Sequence, residues 1–166
     1  MKLNKQLPSL LNISISAIAL FASLFFWAMP AWSADYNKQT LTNADFSNQD
    51  ITNASFDHTN LRGSDLSFAN ATGVRFYGAN MSRANLEGAD LRYASLESTR
   101  LTRANLTDAV LEGAYLTNAM MQESTITGAD FTDALLDPNT EKDLCQRASG
   151  TNSTTGRNTK DTLYCP

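Results

Sequence analysis

An apolar residue stands at every fifth position for one hundred residues of this chain, with no insertion to break the frame. A helix turns about 100° per residue, and a strand changes face at every residue, so neither element keeps residues five apart on one side. The chain must instead repeat a unit of five residues that turns once per unit. The twenty positions are Leu41, Phe46, Ile51, Phe56, Leu61, Leu66, Ala71, Phe76, Met81, Leu86, Leu91, Leu96, Leu101, Leu106, Leu111, Leu116, Met121, Ile126, Phe131 and Leu136.

Two companion positions keep the same phase. The residue two before each apolar centre is small or of modest size, and it is alanine at thirteen of the twenty sites. The residue two after the centre is often glycine or asparagine, which tolerate turns and positive φ. Each unit is therefore predicted to be a short extended piece and a turn, with the centre and the small residue pointing inward. A turn every five residues closes the chain into coils that stack as parallel strands, about 4.8 Å apart.

The recurring A(D/N)LxG-like pattern resembles the pentapeptide-repeat family, and the resemblance covers residues 39–138 without a gap. In that family four pentapeptides form one square coil of a right-handed β-helix. The resemblance thus implies an all-β solenoid, a right-handed quadrilateral β-helix of about five coils. Equivalent residues should lie twenty apart in sequence and stack in columns, with the twenty centres forming the core.

The N-terminus has the organisation of a secretory signal peptide. Lys2 and Lys5 precede an apolar run, and small residues follow it, so residues 1–33 are predicted to be cleaved after Ser33. An uncleaved membrane anchor is the alternative, because the apolar run is just long enough to span a bilayer. Residues 34–38 are assigned as a short lead-in, in which Tyr36 either folds over the first coil or leaves that edge to a partner.

Residues 139–166 are predicted to cap the other end of the solenoid. Pro138 ends the repeat, Thr140 is the expected N-cap of a helix, and a second short helix is expected from Thr159. Two cysteines in an exported chain, Cys145 and Cys165, are predicted to form one disulfide. The segment from Leu144 to Cys165 is also similar to the tails of exported pentapeptide-repeat proteins of cyanobacteria and the chloroplast thylakoid lumen, and this resemblance implies the same cysteine pair.

Nothing in the sequence indicates catalytic, cofactor-binding or metal-binding residues. The only histidine, His58, occupies an outward turn position, and the acidic residues occupy outward positions of the repeat. Loss of residues 1–33 removes two lysines and leaves 11 Lys and Arg against 17 Asp and Glu. This acidic balance argues against a nucleic-acid ligand, and no membrane association is expected once the signal is cleaved. The oligomeric state stays open.

We therefore expect a non-enzymatic structural or protein-interaction module, exported to the thylakoid lumen or the periplasm, whose partner is an unknown protein. The alternative is a DNA-mimicking, gyrase-interacting pentapeptide-repeat protein. A candidate docking patch is formed by Tyr115 and Leu135, two outward apolar residues in one column. We expect the disulfide-closed tail to cover this patch, and a partner protein is the other candidate.

Overall fold

The computed structural model describes residues 34–166, so the predicted signal peptide lies outside the described residues. Backbone bridges join residues twenty apart along the whole repeat. They begin with the pair Thr40 and Asn60 and end with the pair Tyr115 and Leu135, and all of them are parallel. Four pentapeptides therefore separate equivalent residues, as the predicted square coil requires.

The ladder of backbone bridges begins before residue 39, where the repeat was predicted to start. Strand β1 (Ala34–Asp35) pairs in parallel with strand β2 (Ala54–Ser55). Residues 34–38, predicted as a lead-in, thus already follow the repeat, with Tyr36 as its apolar centre. The Tyr36 ring stacks on Phe56 at 4.9 Å between centroids and meets Phe46 edge-on at 5.7 Å. Tyr36 therefore packs on Phe56 as a further centre of its column.

Beyond β1 and β2 each side of the coil is held by a single bridging residue, because a turn interrupts the backbone every five residues. In each turn the carbonyl of the apolar centre accepts the N–H three residues later, as in the bond from Ala44 N to Leu41 O at 3.2 Å. The residue two after the centre has positive φ at every corner from Lys38 to Asp133 except Asn53, which is the pattern of a type II turn. Thirteen of these corner residues are not glycine. Each pays about 1–2 kcal/mol for a left-handed backbone, which the packing of the coil must offset.

The interior contains the apolar centres. Eighteen of the twenty are buried, and the two that are half-buried, Leu41 and Leu136, belong to the first and last coils. The residues two before the centres are buried as well from Thr59 to Ala129, whereas those nearer the ends of the repeat are partly or fully exposed. Where serine replaces alanine there, its hydroxyl donates to a nearby backbone carbonyl, as Ser64 Oγ does to Leu61 O at 2.7 Å. The interior thus accepts these polar residues without an unpaired hydroxyl.

Where Asp or Asn stands immediately before a centre, as at ten of the twenty, that residue has a structural role that the repeat pattern did not suggest. Its side-chain oxygen accepts the N–H two residues later, as between Ser47 N and Asp45 Oδ1 or between Ser67 N and Asp65 Oδ1, both at 2.9 Å. Amides in one column also join successive coils, since Asn105 Nδ2 donates to Asn85 Oδ1 at 3.1 Å. These side chains order the backbone of the outer faces.

Two helices follow the last coil, α1 (Pro138–Arg147) and α2 (Thr159–Thr162). The prediction of Thr140 as N-cap is wrong, because α1 begins two residues earlier and Asp137 precedes it. Proline fits the first turn of a helix, where its missing N–H costs nothing and its fixed φ is already helical. The Asp137 side chain makes no cap to α1 and instead accepts the backbone N–H of Asn118 at 2.6 Å.

Candidate interaction surfaces

The tail, residues 138–166, follows the repeat and covers the open end of the last coil. The coil's N–H groups there find acceptors in the tail. Gly128 N donates to Ser149 O at 2.8 Å, and Phe131 N donates to Thr162 Oγ1 at 3.1 Å. The tail thereby supplies partners that a further coil would otherwise supply.

Asn152 fixes the middle of the tail to the last two coils. Its buried amide nitrogen donates to the carbonyl oxygens of Gly128 at 2.8 Å, Asp108 at 3.0 Å and Ala109 at 3.3 Å. Its oxygen accepts the N–H groups of Thr154 and Thr155. One side chain therefore organises the tail's own loop and anchors that loop to the solenoid.

Arg157 makes the tail's main ionic contact with the coils. Its guanidinium lies 2.9 Å from a Glu112 oxygen and 3.2 Å from Asp130 Oδ2. The Asp130 side chain is buried, and burial opposes its ionisation, but hydrogen bonds from Thr132 and the positive charge of Arg157 prevail and hold the pKa of Asp130 below its ordinary value. The hydrogen bond with Glu112 and the charge of Asp130 in turn raise the pKa of Arg157.

The two cysteines form the predicted disulfide, which joins α1 to the C-terminus. Cys145 and Cys165 have their Cα atoms 5.6 Å apart. Leu144 directly precedes Cys145, and Leu163 lies two residues before Cys165. Both leucines are buried in the same apolar core as the coils. The disulfide therefore closes a tail segment that is held to the solenoid at both ends.

The tail does not cover Tyr115 and Leu135, so the expectation that it would do so is wrong. The two residues are a bridged pair, and their side chains are 45% and 54% exposed. The tail instead contacts polar groups on other sides of the coil. Its side chains donate hydrogen bonds there to the carbonyl of Asp108 and to the carboxylates of Glu112 and Asp130. The apolar pair is left as an open patch.

His58 lies at an exposed corner and makes an edge-on contact with Tyr77, with 5.4 Å between ring centroids. Within residues 34–166 no group of three or more His, Cys, Asp or Glu side chains is arranged to hold a metal ion. Neither helix in this part of the chain is long and apolar enough to cross a membrane.

The structure places four exposed arginines on one side of the solenoid, where the sequence already shows Arg83 and Arg103 one above the other with Glu123 above them. This side, the arginine face, consists of Arg62, Arg83, Arg100 and Arg103, which occupy three successive coils and are all exposed. Among the described coil residues of this side the only carboxylate is Glu123, which lies 2.7 Å from Arg103. Rows of twenty residues align Arg83, Arg103 and Glu123 in one column, whereas Arg62 and Arg100 fall in other columns of the same side and are not grouped with them by the period alone.

The chain was compared with known families, curated proteins and solved structures. A family profile described as pentapeptide repeats matches residues 41–76, 72–108 and 99–137, in eight copies. None of the curated proteins compared matches.

Two solved structures resemble the chain over most of their length. A pentapeptide repeat protein from the Arabidopsis thaliana thylakoid lumen is 35% identical, with 84% of this chain and 97% of that chain covered and a TM-score of 0.57. A pentapeptide repeat protein from Nostoc PCC 7120 is 26% identical, with 74% of this chain and 95% of that chain covered and a TM-score of 0.54. The match thus extends beyond the repeat and spans nearly all of both relatives.

Proposed function

The chain belongs to the pentapeptide-repeat family, and we propose that it is a non-enzymatic protein-interaction module exported to the thylakoid lumen or periplasm. In this proposal a right-handed quadrilateral β-helix of about five coils, closed by the disulfide-linked tail, presents rigid faces to another protein. The fold of the family supports the proposal of a rigid solenoid that acts as an interaction module. Its export is supported by the signal-like residues 1–33 and by the likeness to a protein of the Arabidopsis thaliana thylakoid lumen.

The observation that carries the interaction role is the open patch formed by Tyr115 and Leu135. Outward positions of the repeat are mostly polar, yet these two apolar side chains lie next to each other and are about half exposed. A tyrosine with a wet hydroxyl and a buried ring face is a common anchor at protein interfaces. We propose that a partner protein docks here.

A double variant tests this role. Tyr115→Ser with Leu135→Ser should leave stability within about 1 kcal/mol of wild type, because both side chains already face solvent. The same variant should lose a protein that wild type captures by cross-linking in lumenal and periplasmic extracts. Phe68→Ser is the matched control, since Phe68 is 60% exposed and stands on the opposite side of the coil. Identical captured proteins from all three chains would contradict the docking site.

The DNA-mimic alternative is disfavoured by the arginine face. A mimic of duplex DNA needs a long, continuously negative surface, because the phosphate charge dominates recognition of DNA. Here one side of the solenoid carries four arginines and a single carboxylate. We expect the mature protein to leave DNA supercoiling by gyrase unchanged at low micromolar concentration, and inhibition at that concentration would restore the alternative.

A further inference from the structure

The arginine face differs from the other arginines of the coils in how its charges are balanced. Arg75 pairs with Asp57, and Arg92 hydrogen-bonds Asp90 at 2.9 Å. No carboxylate among residues 34–166 lies within ion-pair distance of Arg62, Arg83 or Arg100. Three cations are thus left unneutralised on a chain that is acidic overall.

The dimensions of this face favour one kind of occupant. Arg62, Arg83 and Arg103 stand on successive rungs, and two rung intervals span about 9.6 Å. On a helix, residues i and i+7 lie about 10.5 Å apart along one side, with i+3 or i+4 between them. In an extended strand the same-face side chains repeat about every 6.6 Å, which falls out of register with the rungs. The backbone of this face is already paired in both directions, because Asn80 bridges to both Asn60 and Arg100, so a strand cannot add to it.

We propose that the arginine face binds an acidic helix of a partner protein, with carboxylates at i, i+3 or i+4 and i+7 paired to successive arginine rungs. The guanidinium group suits this pairing because its fork can bind a carboxylate through two hydrogen bonds. This proposal rests on the interaction role proposed above and names the chemistry of the partner.

The surroundings of the face argue against a larger anion. The face is three to four residues wide, or about 10–13 Å, which matches the 10–12 Å diameter of a helix. One of the two adjacent sides of the solenoid carries Asp45, Asp65, Glu87 and Asp108, with no Lys or Arg among its residues. A bilayer or a nucleic acid would extend over that side and meet these carboxylates, whereas a single helix stays within the arginine face.

Two labelled peptides of equal composition test the proposal against the mature protein by fluorescence anisotropy. In one peptide the glutamates follow the i, i+3/i+4, i+7 pattern, and in the other they are spread around the helix. The patterned peptide should bind more tightly, and added salt should weaken it. Arg83→Glu with Arg103→Glu should weaken it by about tenfold or more, the effect of about 1.4 kcal/mol. Arg62→Ser with Arg100→Ser leaves the Arg103–Glu123 pair intact and should also weaken binding.

Lys142→Glu with Lys160→Glu is the control, because it changes net charge as much as the double arginine reversal but lies in the tail. It should alter binding by less than about twofold. Equal losses for the two charge reversals, equal binding of the two peptides, or tighter binding of polyphosphate or of phosphatidylserine vesicles would each overturn the proposal. If the peptide test fails while Tyr115→Ser with Leu135→Ser still abolishes partner capture, the interaction role stands without the acidic helix.

Discussion

The docking of the tail can be tested with two glycines that share a backbone conformation but differ in surroundings. Gly150 has a φ of +84°, and a Cβ added there would lie 2.9 Å from the backbone nitrogen of Gly128 and 3.0 Å from Thr127 Cγ2. Gly156 has a φ of +71°, and a Cβ added there would meet nothing within 4 Å. Alanine at either site loses the same free energy because its backbone must adopt the left-handed region. Only Gly150→Ala also forces the tail away from the last coil.

The expected difference follows from the contacts that would be lost. Both variants should lose about 1–2 kcal/mol from the backbone strain. A shift of the tail at Gly150 would also break the bonds from Gly128 N to Ser149 O and from Asn152 Nδ2 to Gly128 O, both 2.8 Å long. At about 1 kcal/mol for each hydrogen bond, Gly150→Ala should cost about 2 kcal/mol more than Gly156→Ala.

Hydrogen exchange at the Gly128 amide is the most direct assay, because a repeat protein need not unfold in a single transition. The protection of this amide should fall by about thirtyfold in Gly150→Ala, the equivalent of 2 kcal/mol, and change little in Gly156→Ala. Urea unfolding of both variants supplies the global comparison. Equal protection at Gly128 in the two variants would refute the reasoning that the tail is seated there.

Three further predictions concern the core, the tail's ionic contact and export. Leu91→Asp places an unpaired charge in the middle of the core and should prevent folding. Arg92→Ser on the surface should lower the free energy of unfolding by about 1 kcal/mol or less. Similar losses of stability in urea unfolding would contradict the assigned five-residue frame. The pKa of Asp130 is lower in the folded protein than its ordinary value of 3.8. The ionised Asp130 therefore stabilises the fold above pH 3.8, and this stabilisation is lost as the pH falls through the folded-state pKa. Asp130→Asn should therefore make the free energy of unfolding less dependent on pH between about 5 and 2, and an unaltered pH profile would oppose this assignment. Intact mass of the native protein should match a chain starting at Ala34 and carrying one disulfide, and a full-length reduced chain would count against export.

The interior of the fold follows from the sequence because the period of five leaves few alternatives. Apolar centres such as Leu91 and Leu111 are twenty apart and both fully buried, as the column arrangement requires. The corners are less predictable. Asparagine and glycine are expected at positive φ, yet Tyr93 and Arg103 also adopt it, with φ of +57° and +61°. At every corner from Lys38 to Asp133 except Asn53, the coil imposes that conformation whatever residue stands there.

The surface was harder to predict because it depends on which side chains become neighbours across coils and on where the tail lies. Arg92 and Glu112 lie twenty apart in one column, yet Arg92 pairs with Asp90 and Glu112 pairs with Arg157 of the tail. The path of the tail is decided by hydrogen bonds from Asn152 to backbone carbonyls, and no periodic pattern encodes them. The open patch at Tyr115 is a consequence of that path.

The proposed role of this chain is to present the faces of a rigid solenoid to a partner protein. Its most direct test is quantitative cross-linking of the tagged protein in the compartment where it accumulates, with wild type and the Tyr115→Ser, Leu135→Ser double variant measured side by side by mass spectrometry. We expect one protein to be cross-linked to wild type in near-stoichiometric amount and to be depleted at least tenfold in the equally abundant, folded variant. Recovery of wild type with no enriched protein, or with a protein that the variant retains in full, would contradict it.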